Sequence, residues 1–106
     1  MPQFSPHAQS LFQKILLTIK DELSYEDALR WHDKIIDAVA QLEHFPLSGP
    51  NIPPECFQTV PPDPERLHQL IVKPYRIVYE IVNKECHILS IRHGRMLVSD
   101  TDTSWN

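Results

Sequence analysis

The chain has 106 residues, of which 42% are hydrophobic, which is enough for one domain with its own apolar core. No apolar run reaches the roughly 20 residues of a membrane-spanning helix. The start of the chain also lacks the charged and apolar segments of a signal peptide, so we expect a cytoplasmic protein without a membrane partner.

The charged residues are unevenly distributed. The formal net charge is −4, and residues 1–65 carry four basic and ten acidic side chains. Residues 66–95 carry six basic and two acidic side chains. The acidic total argues against non-specific coating of nucleic acid, whereas the local cationic block favours a specific anionic partner.

The cysteines and histidines form no pattern typical of a metal site. Cys56 and Cys86 are distant in sequence and form no C-x-x-C pair, so we expect two free thiols. The six histidines lack the i, i+4 spacing that places two ligands on one helical face. We therefore expect no metal and no cofactor.

Two amphipathic helices are predicted in the N-terminal half. Ser5-Pro6 is typical of an N-cap followed by proline at the first helical position, and apolar residues then recur at helical spacing to about Leu23. Ser24 with Asp27 indicates the N-cap of a second helix, which ends at Phe45-Pro46. Because the link is very short, we expect an antiparallel hairpin.

Proline dominates the middle of the chain. Seven of the ten prolines lie between Pro46 and Pro64, so residues 47–65 are predicted to form an irregular loop, called here the proline-rich loop. A loop of this length is often functional or disordered. The alternative is an insertion tolerated on the surface.

From Leu67 onward the apolar residues alternate as in strands. Strands are predicted over residues 67–72, 75–82 and 87–93, and residues 96–98 and 1–4 are candidates for short additional strands. Turns at Lys73-Pro74 and at residues 83–85 make the three main strands an antiparallel meander.

The middle predicted strand has two different faces. One set of large side chains is expected to pack on the helices: Tyr75, Ile77, Tyr79 and Ile81. The other set is expected to line an exposed face: Arg76, Val78, Glu80 and Val82. For the first strand, the sequence leaves open which side faces the helices.

The predicted fold is α+β, with an N-terminal antiparallel helical hairpin packed on one face of a small, mainly antiparallel sheet of three to four strands. A single domain is expected over residues 1–98. Residues 99–106, called here the C-terminal tail, are polar apart from Trp105 and are predicted to be flexible. The alternative is that Trp105 anchors the tail on the core or on a partner.

The chain resembles the RelE/ParE family of toxins from type II toxin-antitoxin modules, which are also called plasmid stabilisation proteins. The resemblance runs nearly end to end. It rests on these segments, which occur in the family order at near-family spacing: Phe4-Ser5-Pro6-His7-Ala8, Leu42-Glu43-His44-Phe45-Pro46-Leu47-Ser48-Gly49, Pro74-Tyr75-Arg76-Ile77-Val78-Tyr79 and Ile88-Leu89-Ser90-Ile91-Arg92-His93-Gly94-Arg95. It implies a cognate antitoxin as partner and a toxin-antitoxin hetero-oligomer.

The resemblance also bears on the target. RelE-like members cleave mRNA in the ribosome, whereas ParE-like members inhibit DNA gyrase by binding. The strand before the Tyr-Arg pair supplies two basic side chains in the nucleases, and here these positions are Leu67 and Gln69. The nucleases' late tyrosine is also absent, and Met96 stands where a further arginine is expected. The resemblance therefore implies a non-enzymatic, ParE-like inhibitor.

Two alternatives stay open, an mRNA endonuclease with a rearranged basic set and a toxin-like scaffold that has lost toxicity. For a nuclease, the candidate acid-base and phosphate-binding side chains are Arg76, His93, Arg95 and His68. For an inhibitor, the residues expected to contact the target are Arg76, Arg92, His93 and Arg95. His68 departs from the ParE-like branch, which carries an arginine at that position.

Overall fold

The computed structural model describes residues 2–106 and has two α-helices, three short 3-10 helices and four strands in this part of the chain. The elements are β1 (Gln3–Phe4), α1 (Pro6–Glu22), α2 (Tyr25–Gln41), β2 (Leu67–Val72), β3 (Tyr75–Val82) and β4 (Glu85–His93). The predicted α+β fold, a helical hairpin followed by a meander, is confirmed. Neither helix in residues 2–106 combines the length and the apolar character that crossing a membrane requires.

The sheet has the strand order β1-β4-β3-β2. β2, β3 and β4 are antiparallel neighbours, and β1 adds to the far edge of β4 in parallel. The candidate strand at residues 1–4 is thus present as Gln3–Phe4, while Met1 lies outside the described residues. Residues 96–98 form no strand, and only Val98 makes a single bridge, to Phe57.

Side-chain caps define where both helices begin. The Ser5 hydroxyl accepts a hydrogen bond from the Ala8 N–H at 3.0 Å, and the Ser24 hydroxyl accepts one from the Asp27 N–H at the same distance. Each bond satisfies a backbone donor that has no partner within the helix. α2 ends at Gln41, a little earlier than the proline predicts, and a turn leads from there to Phe45.

One side of the sheet, called here the helix face, packs on α1 and α2. Ile77, Tyr79, Ile88 and Ile91 form a common core with the helices. The remaining buried members of this core are Ala8, Phe12, Ile35, Val39, Leu42, Val72 and Cys86. Val72 and the half-buried Leu70 of β2 belong to this core, so the side of β2 that carries them faces the helices.

The opposite side of the sheet, called here the loop face, is covered by the proline-rich loop. Val78 is only 2% exposed and packs with Leu67 and Leu89 beneath Ile52 and Phe57 of the loop. The expectation that this face of β3 is exposed was therefore wrong for Val78, although Val82 at the end of the strand is exposed, and the loop is an ordered layer with its own small core. The apolar side chains that build it are dispersed among prolines, so they show no periodicity that sequence analysis could recognise.

A bulge interrupts the pairing of β3 with β4. Val78 is opposite Ser90, but Tyr79 is opposite Ile88, so Leu89 is an extra residue in β4. Two consecutive residues of β4 therefore lie on the loop face, and the alternation of faces is reversed beyond them. As a result Ile88 and Ile91, three positions apart, both reach the helix-face core.

The C-terminal tail is packed on the domain. Residues Asp100–Asp102 form a single 3-10 turn, and the Asn106 carbonyl accepts a hydrogen bond from the His7 N–H at 2.7 Å. Arg66 donates to the Thr103 carbonyl at 2.7 Å. The Trp105 ring lies 4.7 Å from the His87 ring, as the alternative of an anchored tryptophan expects. The polar composition of the tail did not predict these contacts, because the tail is held mainly by hydrogen bonds to the rest of the domain and not by apolar side chains.

Candidate functional site

The cationic residues predicted from the sequence meet at one end of the sheet, called here the cationic end, where β3 begins and β4 finishes. Tyr75 pairs with His93, and Arg76 pairs with Arg92. The turn that carries Arg95 follows at once and is held by a hydrogen bond from the Gly94 N–H to the Pro74 carbonyl at 2.7 Å. Arg76 and Arg92 lie on the loop face, whereas His93 lies on the helix face with Tyr75.

Arg76 is bonded to its own fold through all three guanidinium nitrogens. Nε donates to Gln69 Oε1 at 2.9 Å, and Nη1 donates to the Met96 carbonyl at 2.9 Å. Nη2 lies 3.5 Å from Cys56 Sγ in the proline-rich loop. Arg76 therefore joins β2, the loop and the segment after β4, so its position sets that of the neighbouring turn.

Arg92 is directly opposite Arg76, an arrangement in which two like charges repel. The repulsion is offset by Asp102, since both of its carboxylate oxygens accept a hydrogen bond from Arg92 Nε at 2.9 Å. The side chain of Asp102 is 1% exposed, and that of Arg92 is 26% exposed. The two arginines are thus adjacent but have separate acceptors.

The environment of Asp102 favours its charged form. Burial raises the pKa of this carboxyl, but hydrogen bonds from His7, Arg92 and Ser99 outweigh burial and hold the pKa below its ordinary value. His7 Nε2 lies 2.9 Å from Oδ1, and Ser99 contributes both its N–H and its hydroxyl. A carboxylate is therefore present at this point of the fold at neutral pH.

Arg95 is the exposed member of the cationic end, whereas His93 is half-buried, as Arg76 and Arg92 are. The His93 ring packs edge-on against Tyr75, with 6.3 Å between ring centroids, and its Nδ1 accepts the Arg95 N–H at 3.2 Å. The Arg95 side chain is exposed, and its guanidinium has no hydrogen bond or ion pair with any of residues 2–106. Of the four predicted target-contact residues, Arg95 is the most available to an external partner.

A cleft opens beside the cationic end, between α1 and the helix face. Its volume is about 540 Å³, and its wall includes the edge-on pair of Trp31 and Tyr75, whose ring centroids are 5.2 Å apart. Lys14, Arg92 and His93 also border it. The cleft therefore combines an apolar wall with basic groups at its margin.

His68, the remaining candidate for catalysis, lies away from the cationic end. It pairs with Tyr79, stacks on the Tyr79 ring at 5.3 Å and places its Nδ1 2.9 Å from the Gly49 carbonyl oxygen. These contacts support the start of the proline-rich loop. The structure thus separates His68 from His93, although both are on the helix face.

Sequence analysis missed the contribution of the C-terminal tail to this end of the molecule. Neither Asp102, which accepts the hydrogen bonds from Arg92, nor His7, which contacts Asp102, was among the candidates. A signal was present, because Ser99 and Asp102 have the spacing of a capping box, and the Ser99 N–H donates to the Asp102 carboxylate at 3.2 Å. The pattern predicts a helical turn in the tail.

Comparison with known proteins decides the family. The family model described as "ParE toxin of type II toxin-antitoxin system, parDE" matches residues 3–98. The chain belongs to the ParE toxin family. The predicted resemblance to RelE/ParE toxins, closer to the ParE branch, is confirmed, and the chain is a ParE-type toxin of a type II toxin-antitoxin system.

A solved structure shares the ParE fold of this chain. It is described as "Chromosomal ParDE TA system from P. aeruginosa" and superposes with a TM-score of 0.68. The two sequences are 18% identical, and the match covers 87% of this chain and 92% of the other. No curated protein matches significantly. The ParDE relationship implies an antitoxin as partner of this ParE chain.

Proposed function

We propose that this ParE-family toxin arrests growth in the cytoplasm by binding DNA gyrase through its cationic end, and that a cognate antitoxin neutralises it. The observation that carries the proposal is the ParE family match over residues 3–98. Gyrase is the target that the family resemblance implies. The residues that we assign to target contact are Arg76, Arg92, His93 and Arg95.

The nuclease alternative is less well supported by the environment of β2. Leu67, one of the two positions that carry basic side chains in RelE-like nucleases, is fully buried in the loop-face core. Gln69, the other, accepts a hydrogen bond from Arg76. Stabilising the negative charge that develops on a phosphate requires several preorganised donors, and each missing one costs about 3 kcal/mol. Binding without catalysis therefore agrees better with these residues.

The antitoxin is proposed to dock in the cleft between α1 and the helix face. The cleft has apolar lining from Ile15, Ile19 and Ile91, and the half-exposed Met96 lies at its margin. An amphipathic antitoxin segment fits this surface, with apolar side chains against the lining and acidic side chains near Lys14 and His93. Such a complex is the toxin-antitoxin hetero-oligomer that the family resemblance implies.

Expression of the chain in a bacterial host without antitoxin tests the proposal. We expect growth arrest with loss of plasmid supercoiling and intact transcripts. We expect Arg95→Ala to relieve the arrest at equal protein level, because this exposed guanidinium is free to contact a partner. The matched control is Lys84→Ala, which removes an exposed cation from the opposite end of the sheet.

Each alternative has its own outcome in that experiment. Codon-positioned mRNA cuts with normal supercoiling would identify an endonuclease. Unimpaired growth on strong expression would identify a scaffold without toxicity. Arrest by Arg95→Ala equal to that of the wild type would remove Arg95 from the target contact. Co-expression of the product of the neighbouring reading frame tests neutralisation, since an antitoxin should restore growth.

A further inference from the structure

Asp102 is a buried carboxylate that connects three separate segments of the chain. His7 belongs to the first turn of α1, Arg92 to β4, and Ser99 to the tail, and all three contact the same side chain. Burying a charge is costly unless it is paired and hydrogen-bonded, and these contacts compensate it. The carboxylate is therefore a fixed part of the fold.

The same carboxylate binds one edge of the Arg92 guanidinium, the edge that carries Nε. Both oxygens accept from Nε, whereas Nη1 and Nη2 form no hydrogen bond with any of residues 2–106. Without this anchor, the positive charge of the opposite Arg76 would drive the Arg92 side chain away from the sheet. The Nε edge of Arg92 is thus held by Asp102, and the N–H groups of Nη1 and Nη2 remain available to an external hydrogen-bond acceptor.

We propose that Asp102 is a positioning residue for target binding, which holds Arg92 beside Arg76 and so presents its terminal amino groups to a hydrogen-bond acceptor on the target. This inference rests on the proposed function. Asp102 does not contact the target, because its side chain is 1% exposed. A bound target would also not displace Asp102 from Arg92, since His7 and Ser99 hold Asp102 in place. The C-terminal tail is then a component of the target-binding surface.

A double-mutant cycle measured with purified DNA gyrase tests this inference. The readout is the toxin concentration that half-inhibits supercoiling. We expect Arg92→Ala and Asp102→Asn each to raise it about tenfold or more, as for the loss of one charge-assisted contact. In the Arg92→Ala background, Asp102→Asn should cause no further increase, because Asp102 acts through Arg92.

A control variant separates positioning from a general loss of structure. Asp100→Asn changes an exposed carboxylate in the same turn. It should inhibit gyrase within about twofold of the wild type. Circular dichroism and thermal unfolding show which variants are folded at the assay temperature.

Several results would overturn the inference. If Arg92→Ala inhibits gyrase as strongly as the wild type, the inference is wrong, and this result holds even if Asp102→Asn fails to fold. Wild-type inhibition by a folded Asp102→Asn variant, or stronger inhibition, means that Asp102 does not position Arg92 for binding. An equal loss in Asp100→Asn points to a structural role alone. A wild-type chain that neither inhibits gyrase nor arrests growth contradicts the proposed function and this inference together.

Discussion

Tyr79 explains why the segment after α2 has its particular sequence. The Tyr79 hydroxyl donates to the Pro46 carbonyl at 2.8 Å and accepts from the Gly49 N–H at 3.0 Å. Both partners are backbone groups, one just before the proline-rich loop and one near its start, so one side chain from the middle of the sheet fixes where the loop begins. Two of the segments that resemble the family are thus in contact, because Tyr79 of the segment 74–79 holds the end of the segment 42–49.

Gly49 is required by this close approach. A Cβ at Gly49 would lie 2.6 Å from the Tyr79 hydroxyl oxygen and closer still to the Gln69 carbonyl oxygen. We expect Gly49→Ala to lower the free energy of unfolding by about 1–3 kcal/mol, the usual cost of overpacking. Urea unfolding monitored by tryptophan fluorescence measures the change.

Gly94→Ala is the matched control, because a Cβ there would lie 3.2 Å from the Pro74 carbonyl oxygen, a contact that a small shift relieves. Its cost should stay below about 1 kcal/mol. Equal costs at Gly49 and Gly94 would show that the crowding at Tyr79 is not what selects glycine at position 49.

At the scale of elements, Asp102 is one of the groups that hold the C-terminal tail on the domain. The pKa of Asp102 is lower in the folded protein than its ordinary value, so its contribution to stability is present above about pH 4 and is lost as the pH falls through the folded pKa. The groups that face it are His7, Arg92 and Ser99.

We expect Asp102→Asn to be less stable than the wild type at pH 7 by about 2–3 kcal/mol, the usual contribution of hydrogen bonds to a charged group. The difference should shrink as the pH falls below about 4 and through the lowered pKa of folded Asp102, because the wild-type carboxylate becomes protonated there. Chemical denaturation across this range measures it. A difference that stays constant with pH would mean that the ionised form of Asp102 is not what holds the tail.

The elements with regular periodicity were predictable from the sequence. The caps at Ser5 and Ser24 gave the helix starts, and the boundaries of β2 and β3 agree with the alternating pattern. What the sequence did not reveal depends on contacts between distant segments. Phe57 in the loop and Asp102 in the tail have no local pattern that reports their burial. The bulge at Leu89 is likewise decided by pairing with β3.

The same distinction holds for the candidate site. The sequence predicted that Arg76, Arg92, His93 and Arg95 belong together, and strand register does place them at one end of the sheet. It could not predict that Arg76 and Arg92 are bonded within the fold, since their acceptors are Gln69, Met96 and Asp102. Their roles in target contact stay a prediction.

At the scale of the whole molecule, the sheet lies between two apolar layers. Phe12 belongs to the helix-face core and Phe57 to the loop-face core, and their exposed fractions are 8% and 6%. If both layers unfold together, Phe57→Ala should destabilise the protein about as much as Phe12→Ala, by about 3–5 kcal/mol. The proline-rich loop would then be as much a part of the domain as a helix.

Thermal unfolding followed by circular dichroism and by fluorescence checks this expectation. Coincident transitions for the wild type and both variants are expected for a cooperative domain. A cost below about 1 kcal/mol for Phe57→Ala, or a separate early transition, would mean that the loop detaches before the sheet unfolds.

The extra residue in β4 has a consequence for how relatives of this chain can differ. Deleting Leu89 would restore regular pairing and leave Arg92 opposite Arg76 and His93 opposite Tyr75, so both side chains would keep their faces. Pairing Leu89 regularly instead would shift the register by one residue and place Arg92 against the helices. A relative can therefore lose the extra residue without moving its recognition side chains, whereas a relative that keeps the residue needs the bulge to hold them where they are.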